Sequence, residues 1–181
     1  EALNVITILV AGLIVGSELA IASFVHPTLD QLADDVQASG KRLSAYLGEV
    51  HAVLDILVFW LTLAEVVIQW HQSGILPIWI GTSTGLWMLA ILYSVTALVP
   101  INNRFKSNPP PDWKKYRHRW DLLHGWRVVL LTMAFAFLIV GFVSKSHFAF
   151  FQRAAAAEAR SRGRHRGGVF ALRHAGVVDP L

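Results

Sequence analysis

The stretch Leu43–Trp70, LSAYLGEVHAVLDILVFWLTLAEVVIQW, decides the fold. It is uninterrupted by proline and long enough, as a helix, to cross the ~30 Å of hydrocarbon in a bilayer, which takes about 20 residues. Its polar residues His51, Asp55, Thr62, Glu65 and Gln69 are spaced 4, 7, 3 and 4, and Val58 fills the missing step. Alternating steps of four and three keep side chains on one face of a helix. The opposite face is Leu, Val and Phe, so the polar stripe must point into a bundle and the apolar face towards lipid.

Three further stretches have the same length and character: Leu3–Val25, Ile75–Val99 and roughly Leu122–Ser144, the last within a helix expected to begin near Trp113. The predicted fold is therefore all-α, an integral membrane four-helix up-down bundle occupying residues 1–150. Residues 151–181 are expected to form a basic, partly disordered tail, solvated or bound to lipid headgroups. Composition agrees. The 181 residues are 54% hydrophobic and 15% charged, against about 25% charged in a soluble domain. Cysteine is absent, which excludes disulfides and thiolate metal sites. Basic clusters at Arg104–Arg119 and Arg153–Arg173 beside apolar spans point to headgroups rather than nucleic acid. Leu3–Val25 has no basic residue before it and contains Glu18, so it reads as a mature span, not a signal peptide.

The spans are punctuated at recognisable places. Pro27 and Pro100 are expected to end the first and third helices, and Ser39-Gly40 to precede the second. The short connection His71–Gly74 makes spans two and three antiparallel neighbours. Basic residues nearly balance between the two faces, and those close to span ends tip the count slightly towards cytoplasmic first and third connections.

Span four carries its own stripe: Trp113, Arg117, Trp120, His124 and Arg127, spaced 4, 3, 4 and 3. Span one contributes Glu18 and His26, together with Gly12-x-x-x-Gly16, a small-residue face for close helix approach. In an up-down bundle, His26, His51 with Asp55, Asn102-Asn103-Arg104, and His124 with Arg127 all lie near one membrane face. Glu18 lies about 12 Å deeper than His26, near the level of Asp55. Ionisable side chains near the centre of a membrane cost at least ~2.5 kcal/mol each and mark a site by default. The structural alternatives are specific. Arg104 and Arg127 would pair with Glu18 or Asp55 to lower burial cost, Glu65 would snorkel outward, and Asn102-Asn103 would cap a helix end.

Two chemistries suit these residues. In one, His51 or His124 is a general base on an acidic C–H or O–H of a lipophilic substrate. Asp55 then orients His51, and Arg127 or Asn103 stabilises the resulting oxyanion. Glu18, His26, Arg104 and Trp120 are the candidates for substrate binding. In the other, Glu18, His51, Asp55 and His124 ligate a transition metal, Fe or Cu among them; the paired Glu-x-x-His motifs of di-iron bundles are absent.

Gly16-Ser17-Glu18, Phe24-Val25-His26-Pro27, Pro100-Ile101-Asn102-Asn103-Arg104, Trp113, Arg119-Trp120 and Arg127 together resemble the anthrone-oxygenase-like family of four-helix membrane proteins. The likeness spans about residues 5–145. It implies a monooxygenase that converts the activated methylene of a polycyclic anthrone, or a polyketide-like relative, to a carbonyl with O₂ and without flavin, haem or metal. Its partners would be the lipid bilayer, a small lipophilic substrate and O₂, with room for a homo-oligomer or membrane complex. Its location would be a bacterial inner or plasma membrane. The competing reading is a non-enzymatic membrane subunit or ligand-binding protein.

Overall fold

The computed structural model describes residues 2–73, 77–107 and 113–174. The chain divides into two compact units, Glu1–Phe142 and Val143–Leu181. Four long helices account for nearly all of the described residues, and no strand occurs among them. Helix α1 is built from Ala2–Ala20, a π-helical segment Ile21–Val25 and a last turn His26–Leu29. Helix α2 is Asp34–Ser73. Helix α3 comprises Ile78–Tyr93, a second π-helical segment Ser94–Leu98, and Val99–Ser107. Helix α4 is Trp113–His174. Each contains a stretch long and apolar enough to cross a membrane: Ala2–Leu29, Tyr46–Ser73, Ile78–Arg104 and Lys114–Ser146. The protein is an integral membrane four-helix bundle.

Three expectations about helix ends are corrected. Neither Pro27 nor Pro100 ends its helix; each lies one residue beyond a π-helical segment through which the helix carries on. His26 N–H bonds the Ile21 carbonyl and Val99 N–H bonds the Ser94 carbonyl, five residues back in each case. In α geometry the proline ring would press on the carbonyl four residues earlier, Ser23 or Thr96. A turn widened by one residue relieves that clash, so the helix continues instead of breaking. The second helix begins before Ser39-Gly40 and runs through it, leaving a connection of only a few residues after Leu29. Gly40 lies within the helix rather than at a turn, packed closely on Leu29: a Cβ there would lie 2.9 Å from a Leu29 methyl. Ile75, the Pro109-Pro110-Pro111 segment and the tail beyond His174 lie outside the described residues, as does the Trp113 side chain.

All four helices feed one apolar core, with Ala11, Ile14 and Val15 from α1 and Val58 and Val66 from α2. Ile80, Trp87 and Ala90 of α3 and Leu131, Ala134, Leu138 and Phe142 of α4 complete it. Lipid is as apolar as these side chains, so close packing and interhelical hydrogen bonds, not the hydrophobic effect, hold such helices together. Two contacts show how. A Cβ on Gly141 would sit 2.5 Å from Ile80 Cγ1 and 3.3 Å from its backbone N, so only glycine lets α3 and α4 meet there. Ser83 Oγ donates to the Ala134 carbonyl at 2.7 Å, entirely buried. The Gly12-x-x-x-Gly16 face is used at one position: Gly12 meets Phe135 of α4, while nothing approaches Gly16 within 4 Å.

Candidate functional site

The polar stripe of α2 faces inward as the spacing requires, with Asp55, Val58, Thr62, Glu65 and Gln69 all buried. The stripe of α4 does too, at Arg117, Trp120, His124 and Arg127. Where the stripes cross, Arg127 sits between two carboxylates from two other helices. Its Nη1 donates to Glu18 Oε1, and its Nη2 donates to Asp55 Oδ2 at 2.6 Å. Glu18, Asp55 and Arg127 are 2%, 1% and 6% exposed. A guanidinium offers five donors in a fixed fork, which suits it to bridge two carboxylates where lysine could not. Arg127 Nε has no hydrogen-bond partner among the described residues, so a buried donor is left over.

Two histidines flank this triad. His51 Nδ1 lies 2.9 Å from the Leu47 carbonyl. A carbonyl only accepts, so the proton belongs on Nδ1 and Nε2 is the basic nitrogen. Nε2 is 3.0 Å from Ser17 Oγ and 3.8 Å from Glu18 Oε1. Ser17 Oγ also lies 2.8 Å from the Ile14 carbonyl, so its single hydrogen can serve either that carbonyl or a neutral His51. His124 Nε2 lies 3.4 Å from Glu18 Oε2. Two carboxylates against one guanidinium leave one formal negative charge, which a proton on either imidazole would neutralise.

Beside the triad is a cavity of ≈ 210 Å³. For scale, a dry engineered cavity of about 150 Å³ holds benzene. Glu18, His51, His124 and Arg127 lie along it, with Ser94, Asn102 and Trp120, and the remaining wall is Ile21, Val25, Leu29, Leu43, Leu47, Leu98, Val99 and two glycines. Both π-helical segments contribute to it, through Ile21 and Val25 on α1 and Ser94 and Leu98 on α3. Such segments recur at functional sites because the added residue re-aims the side chains around it.

The other predicted residues fall in different places. His26 does not line the cavity. Its Nδ1 lies 2.8 Å from Asp121 Oδ1, and its ring stacks at 4.9 Å on Trp120 and 5.4 Å on His124. Trp120 in turn stacks on His124 at 4.6 Å and donates from Nε1 to Asn102 Oδ1 at 2.7 Å. Asn103 is exposed and not part of the cavity wall; Asn102, one position earlier and facing inward, takes that place. Arg104 pairs with neither Glu18 nor Asp55: it is exposed and donates to the Tyr116 hydroxyl at 2.6 Å. Asp55 does not hold the His51 ring, because Arg127 takes its carboxylate and Leu47 orients the imidazole. Glu65 does not snorkel; it is 1% exposed, and the Asn4 amide, correctly turned, donates to it at 2.6 Å. The residues of the metal alternative do not fit a metal centre, since both carboxylates bind a guanidinium. Among the described residues, no group of three or more His, Asp or Glu could hold an ion.

Sequence reasoning missed Ser17 and Asp121, and placed Asn102 at the right end of the bundle while giving the site role to Asn103. Ser17 adjoins Glu18, and Asp121 stands four residues after Arg117 on the same helix, the usual spacing of a surface ion pair.

The fold and this site define a membrane-embedded helical bundle with a buried ion triad beside a largely aliphatic cavity. Residues 42–137, a little over half the chain, match the family model for anthrone oxygenase. The chain belongs to the anthrone oxygenase family. Neither a curated protein nor a solved structure matches it. The family match begins within α2, so Ser17, Glu18 and His26 of α1 lie outside it.

Proposed function

We propose that the protein is a membrane oxidoreductase of a bacterial inner or plasma membrane that oxidises an activated methylene of a polycyclic aromatic or polyketide-like substrate with O₂. One observation carries this reading. A largely aliphatic cavity is lined at one part by His51, His124, Glu18 and Arg127, with Arg127 held between Glu18 and Asp55 behind it, in a member of this family. His51 Nε2 takes a proton from the methylene, and the charge passes to the ring system as an enolate. Arg127, with its spare Nε–H, donates to the enolate oxygen, a stabilisation that strengthens as charge develops. The electron-rich carbanion gives one electron to O₂, and the resulting radical and superoxide combine to a peroxide. Protonation of the peroxide and loss of the second methylene proton break the O–O bond, leaving a ketone and water. The balance is CH₂ + O₂ → C=O + H₂O, with the substrate as the sole reductant, so neither a metal nor an organic cofactor is required.

The test is O₂ uptake and quinone formation by the purified protein in nanodiscs supplied with an anthrone, above the uncatalysed rate of protein-free nanodiscs. His51→Ala should lower the catalysed rate by about 10²–10⁴-fold, the usual contribution of a general base. No uptake above background for wild type would sink the oxygenase reading. Binding of the anthrone without turnover would instead favour a ligand-binding protein.

A further inference from the structure

The apolar wall of the cavity is also part of the outer surface. Val25, Leu47 and Val99 line the cavity and are 42%, 42% and 37% exposed; Leu43 lines it and is 62% exposed. Val25, Leu47 and Val99 belong to three different helices, and each lies inside its membrane-crossing stretch. The cavity is therefore open at its side, and the exposed residues that line it are all aliphatic.

The end towards the α1–α2 connection is built differently. Arg117 of α4 pairs with Asp30 beside the connection, donates to Gln37 Oε1 of α2, and lies 3.7 Å from Asp121 Oδ2. Gln37 Nε2 in turn donates to the Leu32 carbonyl at 2.6 Å and the Asp30 carbonyl at 3.2 Å. Asp121 continues the network to His26. Arg117 and Gln37 are 7% and 8% exposed, so this clasp ties three helices together beside the α1–α2 connection.

We propose that the cavity takes its ligand sideways from the bilayer, through the rim of Val25, Leu47 and Val99, while the Arg117 clasp closes the water-facing end. The occupant is a planar apolar molecule dissolved in the membrane, the substrate class of the proposed function, on which this route rests. Moving such a molecule from lipid into an aliphatic cavity changes its surroundings little, since both are apolar. Discrimination then falls to the polar part of the wall: a ligand without an oxygen there leaves buried donors unpaired. A charged or strongly polar molecule is rejected earlier, because this way in runs through hydrocarbon.

The absence of cysteine makes single-cysteine labelling direct. Nitroxides on Val25→Cys, Leu47→Cys and Asp30→Cys, in protein reconstituted into vesicles, should divide by environment. The first two should be relaxed chiefly by O₂, which concentrates in lipid, and the third chiefly by a water-soluble nickel chelate. Dominant relaxation of the rim positions by the chelate would overturn the proposal. A second measurement follows the association of 1-aminoanthracene preloaded in the vesicles. Leu47→Trp should slow it about tenfold or more, and Arg117→Ala should leave it unchanged. An unchanged rate in Leu47→Trp, or a clear acceleration in Arg117→Ala, would overturn it equally. Neither readout involves turnover, so a protein that passes both and consumes no O₂ loses the oxygenase reading but keeps this route.

Discussion

At the scale of residues, Arg127 is the hinge of the site. It is the guanidinium on which two buried carboxylates depend, and a buried ion pair that loses one partner typically costs about 3–5 kcal/mol. Arg127→Ala should therefore yield little folded protein, seen as a collapse of the monodisperse peak in detergent chromatography. Replacing all three charges together, Glu18→Gln with Asp55→Asn and Arg127→Met, removes the uncompensated charge and should restore the peak while abolishing oxidation. If the triple variant is as poorly folded as Arg127→Ala, the triad is not what destabilises the single variant. Arg127→Lys keeps the charge but cannot fork to both carboxylates; it should fold and lose most of the rate. The triad's existence was half legible beforehand. The spacing of Asp55 and Arg127 put both on inward stripes, and pairing with Glu18 or Asp55 was foreseen for Arg127. Adjacent residues were not separable in this way: Asn102 and Asn103 are both polar at a helix end, and a step of about 100° around the helix decides which one reaches the cavity.

At the scale of elements, the two prolines matter most. Each follows a π-helical segment after one intervening residue, and both segments line the cavity. A proline read from sequence as a stop is here a device for widening a turn while the helix continues. Packing from neighbouring helices and hydroxyl bonds such as Ser94 Oγ to the Ala90 carbonyl, 2.7 Å, help satisfy the disturbed backbone. Pro27→Ala and Pro100→Ala remove the steric reason for the wide turn and restore an N–H. Each variant should keep or slightly gain thermal stability while binding 1-aminoanthracene more weakly, because the residues before the proline shift towards α register. Equal affinity to wild type in both variants would show that the π-helical segments do not depend on the prolines.

At the scale of the whole molecule, up-down connectivity puts the α1–α2 connection and the start of α4 on one side of the membrane and the α2–α3 connection on the other. In inverted and right-side-out vesicles, a membrane-impermeant maleimide should label Asp30→Cys and Lys115→Cys from the same side and Gln72→Cys from the opposite one. The basic residues at the span ends predict that the first pair is cytoplasmic. Labelling of Asp30→Cys and Gln72→Cys from one side would overturn the four-span topology.

The number of helices, their approximate limits and the inward direction of two polar stripes follow from the sequence alone. Hydrocarbon thickness fixes the length of a span, and a 3.6-residue period fixes which side chains share a face. These are local or solvent-imposed constraints, so no neighbour is needed to read them. The tertiary structure alone decided that the helices continue through Pro27, Gly40 and Pro100. It also decided that Arg127 bridges two carboxylates, that Leu47 rather than Asp55 orients His51, and that Arg104 turns away to Tyr116. Each of these depends on rotation and depth between helices far apart in the chain. Periodicity gives a side chain its face, but only the packed bundle gives it its partner.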